Sequence, residues 1–212
     1  MQLEGWTSPT GKRRVLARLD ACERRRYERA VALAFPDPRI APSVFGSPAR
    51  TTSLAAERRR WRSAVRARTA GARSVIVSDV AACYPSIGQD AIQAAAARAR
   101  GDALLLLREL RRYHEVGGQG IPIGPVASGV VADAVLALAD DRAAAAGCVP
   151  VRWVDDVVFA GDRDAVARAS RAWRRALVEL GMREHDGKRT AEPIAVLGSI
   201  DTVSGRGIMR GT

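Results

Sequence analysis

The chain has 212 residues, 47% of them apolar and 27% charged, with a formal net charge of +11. That composition excludes a disordered polymer, and no apolar run reaches the ~20 residues that cross a bilayer. The start, Met1-Gln2-Leu3-Glu4-Gly5-Trp6, lacks a signal-peptide core, and Cys22, Cys83 and Cys148 are too widely spaced for a disulfide framework or a zinc site, so the expectation is a cytoplasmic protein with reduced thiols and no membrane contact.

The charge is unevenly placed. Residues 1–74 hold 17 Lys/Arg against 6 Asp/Glu, whereas 75–212 hold 17 of each. A basic first third beside a neutral remainder points to a polyanion-binding segment next to a separate chemical core. Residues 12–35 read as a helix with Val15, Leu16, Leu19, Cys22, Ala30 and Leu33 on or near one stripe, interrupted by Arg26 and ended by Pro36 and Pro38. After a loop with Pro42, Gly46 and Pro48, the stretch from Glu57 to Arg68 sets Arg58, Arg59, Arg60 and Arg62 around Trp61. Arginine interleaved with tryptophan suits phosphates plus base stacking, and it equally suits a solvated helix face whose tryptophan packs inward.

From Ser74 the character changes. Ser74-Val75-Ile76-Val77-Ser78-Asp79 reads as a buried strand ending in a carboxylate, followed by a turn through Tyr84 and an Ala-rich helix from about Gln89. Leu104 to Tyr113 is a further helical segment, and the glycine and proline of Gly117 to Pro125 bar regular structure until a helix opens near Val126 and runs to about Ala146. On it Asp133 and Asp140 share a face, away from Val131, Ala134 and Leu138. Val151-Arg152-Trp153-Val154-Asp155-Asp156-Val157-Val158-Phe159-Ala160-Gly161 reads as two strands joined through an acidic pair. Adjacent carboxylates repel, and a buried pair requires a counter-charge that a divalent cation supplies; the bland alternative is an exposed acidic turn. Asp162 is placed to cap a helix with the stripe Val166, Ala169, Trp173, Leu177 and Leu180, closed by Gly181. The tail from Pro193 to Ile208 reads as short strands.

This order predicts an α+β architecture: an antiparallel sheet with helices packed on one face, preceded by a mainly helical basic segment over 1–73. In it Asp79 and the Asp155-Asp156 pair meet at one edge as an all-oxygen site suited to Mg²⁺. His114 and His185 are isolated and read as surface or capping residues.

These residues resemble the palm of a reverse transcriptase, of the bacterial branch that includes retron, group II intron and phage-defence enzymes. The resemblance runs from about Ser74 to Gly198. Asp79 with Tyr84 is similar to the first motif, a metal-binding aspartate and an aromatic that blocks a ribose 2′-hydroxyl. Gly120-Ile121-Pro122-Ile123-Gly124-Pro125 with Ser128 is similar to the glycine-rich turn and helix that hold template and incoming nucleotide. Trp153-Val154-Asp155-Asp156 resembles the catalytic double aspartate. Leu180-Gly181-Met182 with Lys188 resembles the segment whose lysine sits near the leaving pyrophosphate, and Val196-Leu197-Gly198 the segment that grips the primer.

The resemblance implies RNA-templated DNA synthesis from dNTPs on a DNA or RNA primer, with two Mg²⁺ ions (Mn²⁺ as a substitute) roughly 3.5–4 Å apart. Asp79 and Asp155 would be the main ligands and Asp156 a supporting one; Lys188 would stabilise or protonate the leaving group. Gly124, Pro125 and Ser128 would line the nucleotide pocket with Tyr84. Trp153, Leu197, Gly198 and the arginines at 58, 59, 60 and 62 would contact primer and template. The plainer alternatives are that Tyr84 only packs the core and Lys188 is a solvated surface charge. Trp153 stands where the family usually has tyrosine, and Ile123 where glutamine is common. The short stretch after Gly198 carries the expectation that the helical thumb of most relatives is missing and that a partner chain or a homo-oligomer supplies a clamp. The alternatives are template-independent or protein-primed nucleotide addition, and a catalytically silent palm that binds nucleic acid or assembles a defence complex.

Overall fold

The computed structural model describes residues 1–8, 11–37, 43–47, 53–186 and 190–192. The expected helix over 12–35 is two elements. Strand β1 (Gln2–Thr7) pairs antiparallel with β2 (Arg13–Arg18), Gln2 opposite Arg18 and Thr7 opposite Arg13, and helix α1 covers Ala21–Ala34. The break is chemical. The Asp20 side chain accepts from the Cys22 and Glu23 amides at 2.7 and 2.8 Å, and Glu23 reaches back to the Asp20 amide at 3.0 Å. This reciprocal capping box starts a helix at Ala21 and leaves the preceding residues to β1.

Strand β3 (Val44–Phe45) and helix α2 (Leu54–Thr69) follow, then β4 (Ser74–Asp79), α3 (Cys83–Ser86), α4 (Gln89–Arg98), α5 (Leu104–Glu115), α6 (Ala127–Ala145), β5 (Val151–Trp153), β6 (Asp156–Gly161), α7 (Arg163–Glu179) and β7 (Thr190–Glu192). Strands β3-β5-β6-β4-β7 form one sheet in that order. The sheet is mixed rather than antiparallel: β5–β6, β6–β4 and β4–β7 are antiparallel, but β3 lies parallel to β5, Val44 opposite Arg152 and Phe45 opposite Trp153. The chain is an α+β fold.

Helices cover both faces of this sheet, not one. Ile76, Val157 and Phe159 pack into a large core with α1, α4, α5, α6 and α7. The alternate residues Val75, Val151, Trp153, Val158 and Ala160 pack against Trp61 and Val65 of α2. Strands β4 and β6 therefore read as near-continuous apolar runs, because each residue finds a hydrophobic partner on whichever side it points. Residues before Ser74 supply side chains to both cores, so the boundary expected at 73 does not separate two hydrophobic interiors.

The elements read from the sequence between Ser74 and Gly181 hold closely, and the tail from Pro193 to Ile208 lies outside the described residues. Asp162 caps α7 by accepting from the Asp164 and Ala165 amides at 3.0 and 3.4 Å. Gly181 takes φ +73°, with Gly181 N–H donating to Val178 O and Met182 N–H to Leu177 O, the double bond pattern that closes a helix through a left-handed residue. The ring of Trp173 meets Phe159 edge-on at 5.9 Å, fixing α7 to β6. Among the described residues no helix is long and apolar enough to cross a membrane.

Candidate active site

Strand register assembles the acidic edge. Asp79, the last residue of β4, lies opposite Asp156, the first residue of β6, and Asp156 lies opposite Trp153 of β5. Directly opposed residues of antiparallel strands point to the same face with Cβ atoms about 4.5–5.5 Å apart. Trp153, Asp156 and Asp79 thus form one row across three strands, on the face covered by α2. Asp79 is buried, with 4% of its surface exposed, and Asp155 and Asp156 are half-buried.

The hairpin tip is Val154-Asp155, one residue earlier than the acidic pair. Val154 takes φ +52°. That is the left-handed region, where hairpin loops of two residues favour glycine and a β-branched side chain is strained by about 1–3 kcal/mol. Val154 is held on both sides: its carbonyl accepts from Arg152 Nη1 at 2.6 Å and its amide donates to Phe45 O at 3.3 Å.

The two sides of the row differ electrostatically. On the α2 side the Arg58 guanidinium lies 5.5 Å over the Trp153 ring, and Trp61 packs against Trp153 with ring centroids 5.8 Å apart. Burial, then repulsion from Arg62, lowers the Arg58 pKa against the opposing pull of Asp156. Arg58 Nε and Arg62 Nε are buried with no hydrogen-bond partner among the described residues. Arg59 and Arg60 point to solvent, and Arg60 pairs with Glu57 at 3.3 Å. Of the two sequence readings, the inward packing of Trp61 is what the fold shows; of the four arginines, Arg58 lies beside Trp153 and Asp156, and Arg59 and Arg60 face solvent.

On the other side stand Cys83 and Tyr84. Burial, followed by the charge of Asp155 and, more weakly, Asp79, pushes the Cys83 thiol up; burial and the charges of Cys83, Asp133 and Asp155 do the same for the Tyr84 phenol. Both residues are thus within electrostatic reach of Asp155. Tyr84 is half-buried against the large core. Its carbonyl accepts from the Ile121 amide at 3.0 Å, which ties the first sequence motif to the glycine-rich turn. The turn is tied on its far side as well, where Ala17 N–H donates to Ile123 O at 2.8 Å. His114 Nε2 bonds the Gly120 carbonyl at 2.9 Å and so acts as a cap. The His185 amide donates to Asp79 O at 2.8 Å, while its side chain is exposed.

Gly120 takes φ +60°, and a Cβ there would lie 2.2 Å from Tyr84 O and 2.5 Å from Pro85 O. Both obstacles are backbone and cannot move aside. Gly120→Ala is expected to lower stability by about 1–3 kcal/mol, read as a fall in the urea midpoint at constant slope. An unchanged midpoint would show that the turn relaxes freely.

Other expected site residues fall elsewhere. Ser128 is fully buried, with its Oγ 2.9 Å from the Tyr27 hydroxyl, and is a core residue rather than part of a nucleotide pocket. Gly124 is exposed and Pro125 partly so, beside β2. Lys188, Leu197 and Gly198 lie outside the described residues.

Sequence reading missed the group behind the turn. Arg152, 1% exposed, donates from Nε to Asp140 Oδ2 at 2.8 Å and from Nη1 to Asp133 Oδ1 at 2.9 Å, and Asp140 Oδ1 accepts from Trp173 Nε1 at 3.1 Å. The shared face of Asp133 and Asp140 on α6 points inward to this guanidinium. Burial pushes the Asp140 carboxyl up, over the opposing pull of Arg152 and Trp173. The available signal was an arginine inside an apolar strand and two aspartates two turns apart on an apolar helix. A cavity of about 450 Å³ opens beside this group between α4, α6, β3 and the residues that follow α1; Asp133, Asp140 and Arg152 line it, and Asp79, Asp155 and Asp156 do not.

Among the described residues no set of three or more His, Cys, Asp or Glu stands together so as to hold a metal ion. In comparison with known proteins, the chain matches no family model and no curated protein.

Proposed function

We propose that the chain is a nucleotidyl transferase of the reverse-transcriptase palm type, adding dNTPs to a primer 3′-hydroxyl on an RNA template. The observation that carries this reading is the cross-strand pairing of Asp79 with Asp156, with Asp155 in the adjoining turn. Three carboxylates at one sheet edge, with the Arg58 guanidinium beside Asp156, suit a reaction that gathers phosphates and cations.

The donor set fits Mg²⁺, which takes hard oxygens and is commonly held by one or two carboxylates plus substrate phosphates and water rather than by an all-protein cage. Asp79 and Asp155 would hold it, with Asp156 beside Arg58 in support. When bound, the cation lowers the pKa of the attacking hydroxyl and offsets charge on the leaving pyrophosphate. Arg58 and Arg62 present buried guanidinium nitrogens that suit phosphate oxygens. Tyr84 would crowd a ribose 2′-hydroxyl, and Lys188 would offset charge on the departing group. One observation favours a second reading, template-independent or protein-primed addition: α2 packs over the row that carries Asp156 and Asp79 and narrows the approach of a duplex.

The test is primer extension by the purified chain with RNA, DNA or no template, dNTPs or NTPs, and Mg²⁺ or Mn²⁺, beside an Asp155→Ala/Asp156→Ala control. Extension with dNTPs on RNA that the double variant loses is expected. Extension without template selects the second reading. A folded chain that binds nucleic acid, extends nothing and ignores the double substitution is a silent binding module.

A further inference from the structure

We infer that Arg152 is a positioning residue: a buried clamp, seated on Asp133 and Asp140, that fixes the Val154-Asp155 turn and with it the placement of Asp155 and Asp156 relative to Asp79. Its consequence for catalysis rests on the nucleotidyl-transferase reading; its consequence for the turn does not.

Strand alternation sends Val151 and Trp153 toward α2 and Arg152 the other way, toward α6. There the planar guanidinium finds an acceptor on three sides. Nε meets Asp140 Oδ2 at 2.8 Å, while Nη1 meets both Asp133 Oδ1 at 2.9 Å and the Val154 carbonyl at 2.6 Å. Asp133 and Asp140 are seven residues, two helical turns, apart on α6, so one guanidinium spans both. Trp173 of α7 fixes the second oxygen of Asp140. Rigid elements on the large-core side of the sheet thus converge on one main-chain carbonyl, and that carbonyl belongs to the residue with φ +52°.

A residue in that region stays there only where its surroundings over-determine it. Release of the Val154 carbonyl lets the two-residue loop relax toward an ordinary conformation, and the first groups to move are the carboxylates that follow. The geometry asks for arginine in particular. Lysine offers its donors from one nitrogen and cannot reach Asp140, Asp133 and Val154 O together with fork geometry. The same network explains why an apolar helix tolerates two carboxylates: they are there to seat the arginine.

The test compares wild type with Arg152→Lys, and with a neutral variant, Arg152→Met/Asp133→Leu/Asp140→Asn, which removes the clamp without stranding a buried charge and leaves residue 140 able to accept from Trp173. Amide exchange over residues 151–158 is read first, because it needs no activity. Both variants are expected to exchange about tenfold faster there, with β4 and α7 unchanged. Primer extension is read second, with a kcat about tenfold to a hundredfold lower and a nucleotide KM within about twofold of wild type. Unchanged local exchange in the folded variants overturns the clamp. So does a uniform rise across the chain, which would make Arg152 a general stabiliser. A wild-type chain that extends no primer overturns the polymerase reading instead, and the exchange comparison still decides the clamp.

Discussion

Arg152→Met alone is expected to destabilise the chain by about 3–5 kcal/mol, a large part of the total stability of a domain this size. The reason is asymmetry. The ion triad as a whole adds little over a well-packed apolar group, since removing three charges from water offsets most of their attraction. Removing only the cation leaves Asp133 and Asp140, mostly buried on the wall of the cavity, without their shared counter-charge. The variant is therefore expected to be far less stable than the neutral triple variant, although it changes fewer atoms. The effect depends on pH with a definite sign. Burial already raises the Asp140 carboxyl in the wild type, and loss of the guanidinium that pulls it down raises it further. The folded variant then binds more protons than the unfolded chain between the ordinary carboxylate value and the raised one. Stability accordingly falls as pH rises through that window and recovers on acidification. Urea titrations at pH 7 and at about pH 5 check this: the gap between Arg152→Met and wild type is expected to narrow at the lower pH. A single variant within about 1 kcal/mol of wild type at pH 7 would mean that water in the cavity solvates Asp133 and Asp140 well enough to replace the guanidinium.

What the sequence revealed depended on whether the signal was local. Helix α7 was legible at both ends because Asp162 and Gly181 act within their own turns, and β4, β5 and β6 because β-branched runs between breakers have one economical conformation. The first helix was misread because Val15, Leu16 and Leu19 fit a helical stripe, while the partner that makes Val15 and Leu16 part of a strand, Gln2–Thr7, lies across a turn. The local evidence that would have corrected it, Asp20 three residues before Glu23, was present in the sequence. Sheet composition was beyond reach for a different reason. Two residues, Val44 and Phe45, add a parallel strand, and α2 covers the second face through Trp61; neither follows from periodicity. Arg152 was the least legible of all. In a strand flanked by valine and tryptophan an arginine reads as the solvent-facing member, and only the meeting of β5 with α6 and α7 makes it interior.

Asparagine substitutions at the three carboxylates are expected to separate into two classes if the nucleotidyl-transferase reading holds. Asp79→Asn and Asp155→Asn should each lower kcat for primer extension by more than about a hundredfold, and Asp156→Asn by about tenfold. Register makes Asp79 the centre of the group: it is paired with Asp156 across the strands and shares the neighbourhood of Cys83 with Asp155. Asp155 sits in the turn on the Tyr84 side. Asp156 points to α2, with its charge beside Arg58, so part of its field is already spent on a resident cation. Asparagine keeps size and one acceptor oxygen at each position, so the comparison isolates charge from packing. Steady-state extension at several Mn²⁺ and Mg²⁺ concentrations distinguishes a ligand from a neighbour. Loss at Asp79 and Asp155 is expected to be partly recovered at high metal concentration, whereas loss at Asp156 is expected to be insensitive to metal and to deepen with Arg58→Ala. The reverse order, with Asp156 the most severe and Asp155 nearly silent, would place the metal on the Asp79–Asp156 pair, away from the turn. The arginines of α2 would then line the reacting phosphates, and Tyr84 would be a core residue with no part in choosing the sugar.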